Sequence, residues 1–160
     1  MPNLLGIGHM HLKVSDLKKS EQFYTKLLGL KISERIGKYL FLTLGKKHHD
    51  LALQEIGTNA VKLSENSVGL YHFAMEAKNM EALAELYFKL KKEKIDFSPI
   101  DHGISKALYF SDPDGNGIEV YVDTTRMQKK WSGMSNIIIE EEFKNVLKNN
   151  SKQKIILNKQ

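Results

Sequence analysis

His9-Met10-His11-Leu12-Lys13-Val14-Ser15-Asp16-Leu17, followed closely by Phe23-Tyr24 and Leu27-Leu28-Gly29, is the stretch on which the fold turns. Residues 5–14 alternate as a strand does: Met10, Leu12 and Val14 point one way, His9, His11 and Lys13 the other. Ser15-Asp16 is a helix N-cap signal. Leu17, Phe23, Tyr24, Leu27 and Leu28 then recur at helical spacing until Gly29 closes the helix. Three strand-like runs follow, Leu30–Ile36, Tyr39–Leu44 and Asp50–Ile56, with Gly37-Lys38 and Gly45-Lys46-Lys47 as the turns between them. The order is strand, helix, strand, strand, strand.

Residues 57–67 are polar and turn-rich, and beyond them the order starts again. Gly69–Glu76 reads as a strand and Met80–Lys92 as an amphipathic helix. Ile95–Ile100, Ala107–Ser111 and Gly117–Val122 read as three more strands. The last two flank Asp112-Pro113-Asp114-Gly115-Asn116-Gly117, a strong turn signal. His9 and His72 are 63 residues apart, and the same offset relates Tyr24 to Tyr87, Leu27 to Leu90 and Ile32 to Ile95. This is an internal repeat. The expected architecture is α+β: two βαβββ modules, about 5–56 and about 69–123, in a domain spanning 1–123. A C-terminal extension, 124–160, carries a helix over Ile137–Leu147.

Composition narrows the function. With 160 residues, 41% hydrophobic and 27% charged, the chain is long enough for one packed domain. No apolar run approaches the roughly 20 residues of a membrane-spanning helix, so no membrane partner is expected. Met1-Pro2-Asn3 lacks the basic and apolar regions of a signal peptide, and the expected location is cytoplasmic. Absence of cysteine removes disulfides and thiolate chemistry. The net charge of +5 comes from lysines on helix faces and in the last segment. No nucleic-acid signature accompanies them, so no nucleic-acid partner is expected.

Side-chain parity then singles out three residues. If Met10, Leu12 and Val14 face the helices, His9 faces the opposite side of the sheet. Tyr71, Phe73 and Met75 put His72 on that opposite face. Ile118, Val120 and Val122 do the same for Glu119. In a two-half fold the mixed sheet curls, and this face becomes the wall of a cleft. Two imidazoles and a carboxylate with open positions form the ligand set of non-haem Fe(II) oxygenases; manganese, zinc and nickel also accept it. Taken singly, each residue reads better as a polar group on a solvated face.

The pattern His9-x-His11-Leu12-x-Val14-x-Asp16-Leu17, with Phe23-Tyr24, Leu28-Gly29 and Asp112-Pro113-Asp114-Gly115-Asn116-Gly117-Ile118-Glu119, resembles the vicinal oxygen chelate superfamily. That group holds glyoxalases, fosfomycin- and bleomycin-resistance proteins and extradiol dioxygenases. The resemblance covers residues 5–123. It implies paired βαβββ modules curled around a metal cleft, with His9, His72 and Glu119 as ligands. It implies homodimers as well.

The same resemblance bears on the chemistry. Extradiol members add a His at the start of the fourth strand, a His in the loop before the seventh and a Tyr on the seventh. His48-His49-Asp50-Leu51-Ala52, Asp101-His102-Gly103-Ile104 and Tyr109 are similar to these. His49, His102 and Tyr109 are thus the implied catalytic groups, with Fe(II) as cofactor and a small aromatic diol as substrate. Single-module catechol 2,3-dioxygenase-like members are the nearest in pattern, and Arg126-Met127-Gln128-Lys129-Lys130-Trp131 resembles their tail. Strict alternation places His48, not His49, on the face of Gln54. Gln54 lies where glyoxalase-like members carry a fourth ligand, so an isomerase or thiol transferase is the first competing reading. A non-catalytic binding protein for a drug or small aromatic is the second. Without the resemblance, Trp131 reads as a packing anchor, Tyr109 as a core aromatic and His11 as a group with no assigned role.

Overall fold

The computed structural model describes residues 3–4, 6–62, 64, 66–127 and 130–157, with 150–157 as backbone alone. Gln128 and Lys129 of the tail motif lie outside the described residues. The chain divides into two compact units. Unit one is Met1–Gly69 with Asp112–Asn116, and unit two is Leu70–Ser111 with Gly117–Gln160.

Unit one runs β1 (Met10–Val14), α1 (Leu17–Gln22), a π-helical turn (Phe23–Leu27), β2 (Lys31–Ile36), β3 (Tyr39–Thr43) and β4 (Leu51–Glu55). The strands form a four-stranded sheet in the order β1-β4-β3-β2. β1 runs parallel to β4 and the other neighbours are antiparallel. Leu12, Val14, Leu40, Leu42, Leu51 and Leu53 are all buried. The register puts them on one face, and α1 contacts β3 and β4. Removing each such side chain from water contributes roughly 1.5–3 kcal/mol. β2, at the sheet edge, is exposed along its whole length, and its Lys31, Glu34 and Arg35 are the charges that keep an edge from pairing.

Asp16 caps α1 by accepting from the Lys19 N–H at 3.0 Å, as Ser15-Asp16 predicts. The helix expected to run regularly to Leu28 instead widens over Phe23–Leu27. Two hydroxyls return to the backbone four residues earlier: Ser20 Oγ donates to Asp16 O and Thr25 Oγ1 to Glu21 O. Such back-bonding competes with the regular ladder and bends helices. Tyr24 is fully buried here. Its hydroxyl donates to Asp112 Oδ2 at 2.9 Å. Asp112 also accepts from the Asp114 and Asn116 N–H groups and from Asn116 Nδ2, so this buried carboxylate is held on every side.

Unit two runs β5 (Phe73–Glu76), α2 (Met80–Lys92), β6 (Phe97–Asp101), β7 (Ser105–Ser111), β8 (Gly117–Asp123) and α3 (Glu140–Leu157). Its sheet order, β5-β8-β7-β6, repeats that of unit one strand for strand. Asn79 caps α2 through the Ala82 N–H at 2.9 Å, and it lies 63 residues after Asp16. The repeat offset therefore extends to the caps. α2 packs on β7 and β8 through Leu83, Ala84, Tyr87 and Leu90, all buried.

The extension belongs to unit two. Phe143 of α3 is fully buried, its ring stacked on Tyr87 with centroids 4.3 Å apart. Just before α3, Asn136 O accepts from the Asp101 N–H, the Ile138 N–H donates to Pro99 O, and Ile137 bridges to Ile100. Lys106 pairs with Asp101 at 2.6 Å and Glu142 at 3.4 Å, tying β7 to α3.

The expected α+β pair of modules is present, and each module carries its own mixed sheet. Further details differ from expectation. β5 begins at Phe73, so Tyr71 is not on the packed face of a strand and is 84% exposed. The C-terminal helix starts at Glu140 rather than Ile137, because Ile137 and Ile138 pair alongside β6. It also continues to Leu157. Among the described residues no helix is long and apolar enough to cross a membrane.

Candidate metal and acid–base site

In unit two Glu119 stands on β8 opposite Ala74 of β5 and Tyr109 of β7. His72 precedes β5 by one residue and keeps the parity of Ala74. Gly117 controls how near it comes. A Cβ built on Gly117 would lie 2.2 Å from Tyr71 O and 3.1 Å from His72 Cβ, so only glycine admits this backbone approach. His72 Nε2 thereby rests 3.1 Å from Glu119 Oε2. Tyr109 donates its hydroxyl proton to Glu119 Oε1 at 2.8 Å and lies 2.9 Å from His102 Nε2. His102 Nδ1 in turn is 2.7 Å from the carbonyl oxygen of Gly133. A continuous polar line thus runs Gly133–His102–Tyr109–Glu119–His72.

The line is sheltered. His102 is only 4% exposed, and the Glu119 side chain 12%. Burial, with the Glu119 carboxylate adding to it, pushes the Tyr109 phenol above its ordinary value, so it carries its proton at neutral pH. His72 Nδ1 is buried without a hydrogen-bond partner. Buried polar atoms are rarely left so.

A divalent ion fits this pair. Two donors about 2.1 Å from one ion and at right angles to each other stand about 3 Å apart, and His72 Nε2 and Glu119 Oε2 are 3.1 Å apart. Imidazole nitrogen with carboxylate oxygen also suits iron, zinc, manganese or nickel better than calcium.

Unit one holds the remaining histidines. His9 immediately precedes β1, and its ring centroid lies 4.4 Å from that of His49. His49 also packs edgewise on Phe41, at 5.1 Å. His48 Nδ1 lies 3.0 Å from His49 Nδ1, and His48 Nε2 3.3 Å from Glu34 Oε2. Because β4 begins only at Leu51, strand alternation does not govern either residue, and His49 reaches the side of His9 without a bulge. Partial desolvation and the neighbouring His9 and His48 hold the His49 imidazole below its ordinary value. Gln54, half-buried on β4, lies opposite Lys13 and Tyr39. The His11 ring faces Tyr39. Among the described residues no three His, Asp or Glu side chains are gathered into a metal-holding group.

The expected residues therefore fall into two sets. His72, Glu119, Tyr109 and His102 are joined in unit two, and His9 and His49 are paired in unit one. Two participants escape sequence reasoning. Gly133 acts through a backbone oxygen, which leaves no side-chain signal. Gly117 acts by lacking a Cβ, and its only trace is its place at the end of the turn motif.

Several known proteins are similar to this chain. Catechol-2,3-dioxygenase of Bacillus subtilis is 40% identical over 121 residues, which is 75% of this chain and 42% of that protein. Biphenyl-2,3-diol 1,2-dioxygenase 3 of Rhodococcus globerulus is 30% identical over 73% of this chain and 63% of its own. The chain thus spans less than two-thirds of either. Glutathione transferase FosA of Serratia marcescens is 29% identical over 74% of this chain and 82% of its own. The crystal structure of a glyoxylase/bleomycin resistance protein/dioxygenase domain from Frankia sp. EAN1pec superposes with a TM-score of 0.65 at 25% identity. That match covers 76% of this chain and 93% of that one. Residues 6–120 match the Glyoxalase/Bleomycin resistance protein/Dioxygenase superfamily, and with both modules and the His–Glu pair in place the chain belongs to that superfamily.

Proposed function

We propose that the chain is an extradiol, catechol-type ring-cleaving dioxygenase that uses non-haem Fe(II). The observation that carries the reading is the line from His102 through Tyr109 to Glu119. A group that merely sequesters a metal has no use for a half-buried phenol and a buried imidazole joined to its carboxylate.

His72 and Glu119 of unit two and His9 of unit one would hold the ion. Once bound, Fe(II) supplies a positive anchor for the two neighbouring oxygens of a diol and the redox capacity for oxygen chemistry. In the overall reaction the carbon–carbon bond beside the diol breaks and both atoms of O₂ enter the product, so no external reductant is consumed. Tyr109 carries its proton and, by turning it from Glu119 Oε1, could donate it in a hydrogen bond to a substrate oxygen. His102 backs it and can take up or return that proton. His49, held below the ordinary imidazole value, is neutral at pH 7 and suited to accept a proton. The substrate class is a small aromatic diol, and a second copy of the chain is the proposed partner.

The glyoxalase-like or thiol-transferase reading draws on the FosA relative, of which the chain covers 82%, and on Gln54 as a further ligand. Elemental analysis with catechol-dependent oxygen uptake separates the two. Iron-dependent oxygen consumption that survives Gln54→Ala supports the dioxygenase. A thiol-linked activity on zinc, nickel or manganese that Gln54→Ala abolishes sinks it.

A further inference from the structure

The superfamily match ends at residue 120, yet three consecutive residues of the extension grip His102. The Trp131 ring lies nearly parallel to the imidazole, at 17° with centroids 6.5 Å apart. The Ser132 N–H donates to the His102 carbonyl at 2.8 Å, and its hydroxyl donates to Asp101 O at 3.3 Å. Gly133 O lies 2.7 Å from His102 Nδ1. Asn136 holds the segment in place, donating to Ser132 Oγ and accepting from the Asp101 N–H.

A carbonyl oxygen only accepts. His102 Nδ1 therefore carries the hydrogen in this contact, and Nε2 faces Tyr109 at 2.9 Å. The single phenol hydrogen serves either a bare Nε2 or Glu119 Oε1, and while it is on Glu119 Nε2 must carry a hydrogen of its own. Turning the ring over would aim a C–H at both oxygens, so the carbonyl fixes both tautomer and orientation. Gly133 adopts φ 93°, where glycine is favoured. A Cβ there meets nothing within 4 Å, so a side chain at 133 acts through the backbone alone.

We propose that Trp131, Ser132 and Gly133 are positioning residues: they hold His102 as its Nδ1–H form and aim Nε2 at Tyr109 and, through it, at Glu119. The consequence for turnover rests on the dioxygenase reading, whereas the ring orientation stands without it.

The test uses the metal-free, full-length chain labelled with ¹⁵N-histidine. Long-range ¹H–¹⁵N correlation assigns His102 by the signals lost in His102→Gln. The wild type is expected to show hydrogen on Nδ1 with slow solvent exchange. Gly133→Ala and Trp131→Ala are each expected to speed that exchange at least about tenfold and to admit the Nε2–H form, and Trp131→Phe to retain the wild-type pattern. A neutral wild-type His102 bearing hydrogen on Nε2, or spectra unmoved in both alanine variants, overturns the proposal. In the iron-loaded protein Gly133→Ala should lower kcat about tenfold with KM unchanged. Altered spectra with unchanged kcat in an active enzyme overturn the positioning role. A wild type that consumes no oxygen with catechol removes the dioxygenase reading, and the spectra then decide the orientation alone. Should Gly133→Ala not fold, Trp131→Ala against Trp131→Phe carries both arms.

Discussion

Tyr24 and Tyr87 occupy the same place in the two halves, 63 residues apart, yet they are used in opposite ways. Tyr24 lies in a widened helical turn and gives its hydroxyl to Asp112. Tyr87 sits in a regular helix and gives its ring to Phe143 of the C-terminal extension. In unit one a polar turn completes the core, and in unit two an added apolar helix does. The site-bearing faces diverge in the same sense. His9 and His49 stand in a cluster of imidazoles, whereas His72, Glu119, Tyr109 and His102 are locked in a sheltered line. Duplication supplies two equivalent frames, and what is appended to each decides which becomes preorganised.

The largest test of this contrast is Phe143→Ala. Deleting a buried aromatic that stacks on Tyr87 should cost about 3–5 kcal/mol in urea unfolding; a cost below about 1 kcal/mol would mean that α3 is no part of the core. Tyr24→Phe comes next. Burial and the nearby Asp112 charge push its phenol above the ordinary value, and loss of this bond to a charged acceptor should cost about 1.5–3 kcal/mol. Tyr87→Phe keeps the stacked ring and should cost under about 0.5 kcal/mol. Equal costs at the two tyrosines erase the distinction. Gly117→Ala forces a Cβ against Tyr71 O and should cost about 1–3 kcal/mol. It should also weaken zinc binding at least about tenfold by parting His72 from Glu119; calorimetry showing full affinity would disprove the second effect.

A further small effect belongs to Lys106. Burial by itself would raise the Asp101 carboxyl, but the Lys106 ammonium and the Gly103 N–H outweigh it and hold it below the usual carboxylate range. Burial by itself would lower Lys106, and Asp101 and Glu142 raise it instead. The acid's contribution is present above the ordinary carboxylate value of about 4 and fades as pH falls through the depressed one. The lysine's contribution is present below about 10.4 and fades as pH rises through the raised value. Lys106→Met should therefore cost under about 1 kcal/mol at pH 7, and denaturation at pH 3 should show a smaller gap between variant and wild type. A gap that widens in acid contradicts the assignment.

Much of this was written locally in the chain. Asp16 and the spacing after it announce α1, and Met80–Lys92 is helical to the residue, because caps and periodicity act over one or two turns. Parity put His72 and Glu119 on one face, and the two side chains stand 3.1 Å apart, although His72 precedes β5 by one residue. What escaped was set at long range. Tyr71 resembles a core residue by pattern, but it lies outside β5, which begins at Phe73. The turn at Phe23–Leu27 reflects hydroxyls competing for carbonyls, which residue periodicity does not register. Alternation misassigned His49 because it assumed a strand that begins only at Leu51. The hold on His102 comes from a carbonyl 31 residues away, and every residue has a carbonyl.

The β7–β8 connection is shorter than its task suggests. The chain leaves one compact unit after Ser111, lends five residues to the other and returns at Gly117. Cutting out either half as one continuous piece would therefore orphan a carboxylate or a phenol. The loan also means that lengthening this connection, usually the most forgiving change in a hairpin, should be among the least tolerated insertions in the molecule.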